Sequence, residues 1–181
     1  MVNTLSDFFN KFPSPYPFDV KKRLKEGYRE KFDLLDEKPL IFPELSYKKI
    51  KIKNVLILGC GHTEGIYHSL RNPDIHFICV DISKNAIESS IKNSSSYNLT
   101  NVEFINTDLL SFNSDIKFDV IFASKVFQYL DNPLDGFLKS FSLLEKHGAL
   151  IGSLPTSSMF SDINIMRQSL LDFGYSYENT E

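Results

Sequence analysis

Cysteine is nearly absent from this 181-residue chain: only Cys60 and Cys79 occur, and not in C-x-x-C spacing. That excludes a disulfide framework or a zinc ribbon and fits two reduced thiols in a cytoplasmic protein. A strong charge of either sign is missing as well. The net charge of −3 gives no global attraction to nucleic acid or to an anionic membrane. No apolar run approaches the roughly 20 residues that span a bilayer. The opening "MVNTLSDFFNKF" has no basic start followed by an apolar stretch, so a secretory signal is not expected. The four histidines have no metal-ligand spacing, so no metal is expected; two or more of them should be exposed. Internal repeats are absent, which excludes a solenoid.

What is present divides near residue 50. Residues 1–50 suggest an N-terminal helical arm. "FPSPYPFDV" carries Pro13, Pro15 and Pro17 and is expected to be extended. After Asp19, a plausible N-cap, Val20, Leu24, Tyr28, Phe32 and Leu35 recur every three or four positions and predict one long helix that tolerates Gly27.

Residues 51–181 alternate short strands with helices. Val55–Leu58 is an unalternating apolar run, as in a parallel strand covered on both faces. A helix is predicted from Glu64 to Arg71, with Thr63 as its cap. A second strand runs from His76 to Val80, and Ser83 caps a helix that carries Ala86, Ile87 and Ile91 and frays in "NSSSYN". Further strands are predicted at 102–106, 120–123 and 149–154. Before the last of these, Asn132 and Pro133 start a helix whose stripe is Leu134, Phe137, Leu138, Phe141 and Leu144, ending at a left-handed Gly148. A final helix carries Met159, Ile163, Met166, Leu170 and Phe173. The fold class implied is α/β, a doubly wound parallel sheet of about five strands with right-handed crossovers.

In such sheets ligands bind beyond the carboxyl ends of the strands, where strand order reverses. Gly59 and Gly61 end the first strand and allow both a tight turn and close approach. Asp81 ends the second, twenty residues after Gly61, the interval of a carboxylate that grips ribose hydroxyls. Asp108 follows the third strand, and Ser124 and Lys125 the fourth. Two acids and a glycine turn on one rim suit a nucleoside better than a pyrophosphate.

The stretches "NVLILGCG", "FICVDIS", "VEFINTDLL" and "FDVIFASKVFQYLDNP", in that order over residues 54–153, resemble the motifs of class I S-adenosylmethionine-dependent methyltransferases. "SPYPF" also resembles a "PYP" stretch that precedes the core in some bacterial members. The resemblance implies a Rossmann-like sheet of five parallel strands in the order 3-2-1-4-5 and S-adenosylmethionine as cofactor. Gly59, Cys60 and Gly61 would lie against its methionine and ribose parts. Asp81 would hold the ribose hydroxyls, Ile82 would pack on the adenine, Asp108 would accept from the adenine amino group, and Leu109 would offer its backbone N–H. Ser124 would sit near the methyl donor. Three departures stand out: Ile57 where many members have an acid, Thr63 where most have glycine, and Phe127-Gln128-Tyr129 where a histidine often follows the fourth strand.

Three functions follow as alternatives: a methyltransferase with an unidentified small-molecule acceptor, a catalytically inactive methyltransferase-like binding or regulatory subunit, and an NAD-dependent oxidoreductase. Thr63 loosens the phosphate-cradling glycine pattern that the last requires. Methyl transfer is a displacement at an already activated carbon, so alignment suffices for many acceptors and the missing histidine does not exclude activity. The catalytic residues are left unassigned, with Lys125 and Tyr129 as candidates for handling the acceptor. Its pocket is expected from the arm, residues 125–129 and the loop near 155–159, with Tyr16, Phe18, Phe127, Tyr129 and Phe160 as aromatic lining. Cys60 is a small turn residue rather than a nucleophile. The basic stretches at 21–25 and 47–53 are expected to be solvated faces rather than RNA contacts. The chain ends where the family's final strand pair usually begins, so the expected sheet leaves the fifth strand as an edge. Three explanations fit: truncation before the last two strands, a partner chain or second copy that adds there, or cover by the N-terminal arm.

Overall fold

A computed structural model describes residues 4–13, 17–29, 34, 51–155, 169 and 172. The predicted final helix apart from residues 169 and 172, the loop near 156–159, Tyr16, Phe32 and Leu35 lie outside the described residues. The core is one parallel sheet: β1 (Asn54–Leu58), β2 (His76–Asp81), β3 (Val102–Asn106), β4 (Phe118–Ser124) and β5 (Leu144–Ser153), in the order β3-β2-β1-β4-β5. β1 is central, pairing Leu56 with Ile78 on one side and with Ile121 on the other.

Period-two alternation along β1 divides the core. Leu56 and Leu58 face a cluster with Ile78, Val80, Ile121 and Phe127; Val55 and Ile57 face Phe77, Cys79, Val120 and Phe122. Val55 through Leu58 are fully buried, and burial of each such side chain contributes about 1.5–3 kcal/mol. At the opposite end of the sheet, Asp119 Oδ2 accepts the backbone N–H groups of Lys53 and Asn54 at 2.8 and 3.0 Å, which ties the start of β1 to β4.

Among the described residues the helices are α1 (Leu5–Lys11), α2 (Val20–Lys25), α3 (Glu64–Arg71), α4 (Lys84–Ser96) and α5 (Pro133–Leu143), with a 3-10 turn at Phe127–Tyr129. Capping follows the sequence at three of them: Asp19 accepts from Lys22, Ser83 from Ala86 and Asn132 from Leu134. Two helix ends differ from expectation. α2 stops at Lys25 because Gly27 turns left-handed (φ 87°) and lets Tyr28 N–H reach Arg23 O while its own N–H reaches Leu24 O. The same double bond closes α4, with Asn98 left-handed, so that helix runs through the serines to Ser96 rather than fraying among them.

α5 is the larger correction. Its buried residues are Gly136, Ser140 and Leu143, whereas Leu134, Leu138 and Phe141 are 56–61% exposed among the described residues. The Phe127 ring presses on the helix at Gly136, where an added Cβ would lie 2.5 Å from Phe127 Cδ1, and this contact sets which side faces inward. Gly148 is no helix terminator. It lies inside β5, which already pairs Leu144 with Phe118 and is irregular before Ala149 pairs with Val120.

Candidate functional site

The carboxyl ends of β1, β2, β3 and β4 open into one cavity of about 370 Å³. Its base is the turn after β1. Gly59 and Cys60 both donate to Val80 O, at 2.8 and 3.2 Å, and Gly59 and Gly61 are left-handed with φ 69° and 54°. An L-residue pays for that conformation, and a Cβ on Gly59 would also come within 2.4 Å of Val126 Cγ2. The later glycine serves a different purpose. A Cβ on Gly65 would lie 2.5 Å from Cys79 Sγ and 2.9 Å from Phe104 Cε1, so its absence lets α3 sit directly on the sheet.

Asp81 is the hub of the site. Oδ2 accepts the Gly61 N–H and Oδ1 the Ser83 N–H, both at 2.8 Å, leaving each oxygen further acceptor capacity toward the cavity. Burial pushes its pKa up, and the two backbone N–H groups only partly offset this. Asn106 Nδ2 fixes the adjoining backbone by donating to Asp81 O and Ile82 O at 2.9 and 3.0 Å. Asp108 caps its own turn through Leu110 N–H at 2.7 Å and still borders the cavity.

All eight residues that the resemblance singles out line this cavity: Gly59, Cys60, Gly61, Asp81, Ile82, Asp108, Leu109 and Ser124. Ser124 Oγ lies 3.1 Å from Ser153 Oγ, joining the ends of β4 and β5. Cys60 is a free, buried thiol whose pKa is pushed well up, first by the Cys79 thiol and then by burial, which suits a structural residue. Lys125, left-handed at φ 56°, and Tyr129 also border the cavity.

Other expectations are revised. Phe127 is a core residue, 1% exposed and 4.7 Å from the Phe137 ring, and Phe18 packs edge-on to Tyr28, so neither lines the cavity. Phe160 lies outside the described residues. Thr63 holds the N-cap position of α3 but its hydroxyl makes no cap hydrogen bond. Of the histidines, only His147 is exposed; His76 is half-buried, and His62 and His68 are buried. Lys21, Lys22, Arg23 and Lys25 are exposed, as a solvated face requires.

The arm contributes to the cavity as expected, but through a helix and residues that sequence reasoning did not single out. α1 brings Leu5 and Phe9 over the cavity, with Pro13 just beyond, and Phe9 meets Tyr129 edge-on at 5.2 Å. Ser6 donates to Ile82 O at 3.1 Å, and Asn10 Oδ1 accepts from Ser83 Oγ and Asn85 N–H at 2.9 and 3.1 Å. Thr4 caps α1 through Asp7 N–H, a local signal that was present. His62 also lines the cavity, and nothing in its spacing marked it.

Comparison with known proteins places this geometry. A methyltransferase-domain family model matches residues 50–170. The malonyl-[acyl-carrier protein] O-methyltransferase of Halalkalibacterium halodurans is 35% identical over 104 residues, which cover 55% of this chain and 38% of that protein. A protein of the same description from Ilyobacter polytropus is 30% identical over 100 residues, 54% of this chain and 36% of the relative. The chain thus spans under two fifths of these curated relatives. Among solved structures, PKMT2 from Rickettsia typhi in complex with AdoHcy is 26% identical with a TM-score of 0.59, covering 66% of this chain and 24% of that one. An S-adenosylmethionine-dependent methyltransferase from Clostridium acetobutylicum has a TM-score of 0.60 at 18% identity, covering 79% and 61%. Sheet order and a family match across the whole strand-and-helix core agree: the chain belongs to the methyltransferase-domain family and has the Rossmann-like fold of S-adenosylmethionine-dependent methyltransferases.

Proposed function

We propose that this chain binds S-adenosylmethionine in the cavity beyond β1–β4 and transfers its methyl group to a small-molecule acceptor. The observation that carries the reading is Asp81, a carboxylate clamped by Gly61 and Ser83 N–H groups with acceptor capacity left toward the cavity. The residues present fit an adenosyl group. Asp81 would hold the ribose hydroxyls, Ile82 and Leu109 would supply apolar surface for the adenine, and Asp108 would accept from its amino group; Gly59, Cys60 and Gly61 would lie against the methionine and ribose parts. When bound, the cofactor supplies an electrophilic methyl carbon.

The chain's own contribution is alignment and exclusion of water, which in well-oriented systems is equivalent to about 10⁵–10⁸ M of reactant. Leu5, Phe9, Tyr129 and Leu130 form an apolar roof and wall, favouring an acceptor with an apolar or aromatic face. Ser124 stands at the donor end, and Lys125 and Tyr129 are the groups placed to orient the acceptor or take its proton. Both curated relatives are named for malonyl-[acyl-carrier protein], but this chain spans under two fifths of either, so no acceptor is carried over.

Among the described residues, no helix is long and apolar enough to cross a membrane, and two free thiols fit a cytoplasmic location. Among the same residues β5 pairs only with β4, so its outer edge is where a second copy or partner strand would add. Calorimetric titration with S-adenosylhomocysteine, followed by transfer of labelled methyl to an acceptor pool, tests the function. Saturable binding with labelled product supports it, binding without product supports the inactive-subunit alternative, and absence of binding overturns the cofactor assignment.

A further inference from the structure

Among the described residues a single lysine or arginine borders the cavity. Glu64, Asp81 and Asp108 are its acidic lining residues, and Lys125 is the one cation set against them. Asp81 and Asp108 follow β2 and β3, on the side assigned to adenosine, whereas Lys125 follows β4, beside Ser124 and close to Tyr129. Lys84, Lys117 and Lys139 each meet a protein oxygen, but the Lys125 ammonium has no hydrogen bond or ion pair among the described residues. Its backbone is fixed and strained. Lys125 N–H donates to Ser153 O at 2.9 Å, and φ is 56°, a left-handed conformation that glycine would adopt without strain. A long cationic side chain is thus kept at the cavity rim against local backbone preference.

We infer that Lys125 is the counter-ion for a carboxylate carried by the methyl acceptor, so that the substrate class is a monoanion with an apolar or aromatic body. This rests on the proposed function above, which puts the adenosyl group beside β1–β3 and leaves the β4 side to the acceptor. The surfaces around Lys125 fit such a molecule. Leu5, Phe9 and Leu130 offer apolar area, and the Tyr129 ring stands edge-on to Phe9 at 5.2 Å. Tyr129 closes the 3-10 turn that begins two residues after Lys125, and its hydroxyl adds a neutral donor on the same stretch of chain. One ammonium and one phenol match a carboxylate. A phosphate dianion fits worse, because no second lysine or arginine borders the cavity among the described residues and the three acids would repel it. A cationic acceptor meets Lys125 at close range. A neutral one covers the ammonium without replacing the water it loses, a desolvation left uncompensated.

The test is calorimetric titration of the protein saturated with S-adenosylhomocysteine, using 3-phenylpropionate and octanoate as acids and their primary amides as neutral matches. At least one acid is expected to bind about tenfold or more tightly than its amide, the worth of a hydrogen bond to a charged group. Lys125→Met, which keeps the stem without the charge, should bring that acid and its amide within about twofold of each other, and Lys125→Arg should retain the preference. Lys125→Gly relieves the left-handed strain, so the same loss in that variant separates missing charge from a folding defect. Affinity for S-adenosylhomocysteine should stay within about twofold of wild type in all three variants. Amides that bind as well as acids, absence of acid binding, or a preference that survives Lys125→Met overturns this inference alone. So does a fall in S-adenosylhomocysteine affinity as large as that for the acid, which would make Lys125 a cofactor residue. A wild type that binds no S-adenosylhomocysteine overturns the cofactor assignment with it.

Discussion

Asp81 Oδ2 accepts the backbone N–H of Gly61 at 2.8 Å, joining the end of β2 to the turn after β1 across twenty positions of sequence. One carboxylate thereby shapes the turn that borders the cavity and presents its remaining acceptor capacity to the ligand. Binding and scaffolding are coupled at this residue, and its substitution should register in both.

Asp81→Ala is expected to weaken S-adenosylhomocysteine by roughly 10- to 100-fold, since hydrogen bonds to a charged group are worth about 1.5–3 kcal/mol each. Loss of the Gly61 and Ser83 contacts should also lower the melting midpoint. Titration calorimetry with a thermal melt checks both; unchanged affinity would remove Asp81 from the binding site.

Two glycines should reject even a methyl group. Gly59→Ala combines left-handed backbone strain with a 2.4 Å approach to Val126 Cγ2, a cost of about 2–5 kcal/mol. Gly65→Ala forces α3 away from Cys79 and Phe104 at roughly 1–3 kcal/mol. Urea denaturation measures both. A midpoint equal to wild type in either variant contradicts the packing described for that glycine.

Acid should destabilise the protein through His62. Its folded pKa lies below the unfolded value of 6.5, so its contribution is fully present above that pH and is lost as pH falls toward the folded value. Asp81 acts in the other sense: its folded pKa is raised above 3.8, so protonation relieves a buried charge and stability is gained as pH falls through the raised value. His62→Phe should therefore flatten the decline in midpoint between about pH 7 and pH 5.5. A slope identical to wild type would place the acid sensitivity elsewhere.

α1 is anchored through few groups, none of its residues being buried. Asn10→Ala removes the acceptor that serves Ser83 and Asn85 and should cost on the order of 1 kcal/mol of local stability. The expected readout is faster proteolytic cleavage within residues 4–13, with the overall unfolding midpoint nearly unchanged. Cleavage at the wild-type rate would show that Phe9 and Leu5 hold the helix without Asn10.

The strands and the acidic rim were legible because parallel strands buried on both faces leave unalternating apolar runs, and Asp81 and Asp108 directly follow two of them. Helix ends were less so. Gly27 reads as a tolerable flaw until the bonds from Gly27 and Tyr28 back into α2 show it to be the stop. On α5, periodicity revealed an apolar stripe of which Phe137 and Leu144 pack on the core, but not which of its members would face out. Leu134, Leu138 and Phe141 point away because the Phe127 ring claims the side at Gly136. His62 gave no signal at all, since a histidine's burial depends on what surrounds it rather than on its neighbours in sequence.

Residues a few positions apart were enough to decide the caps at Asp19, Ser83 and Asn132 and the alternation of strands with helices that marks a doubly wound parallel sheet. Those features rest on side-chain period and on backbone hydrogen bonds closed within one turn. Only the tertiary structure decided that α1 roofs the cavity, through Ser6 to Ile82 and Asn10 to Ser83, contacts 76 and 73 residues apart. The same holds for the burial of the His62 ring and the Thr63 hydroxyl without a hydrogen-bond partner among the described residues. Contacts at such separation follow from where the sheet carries each chain end, and no local pattern encodes them.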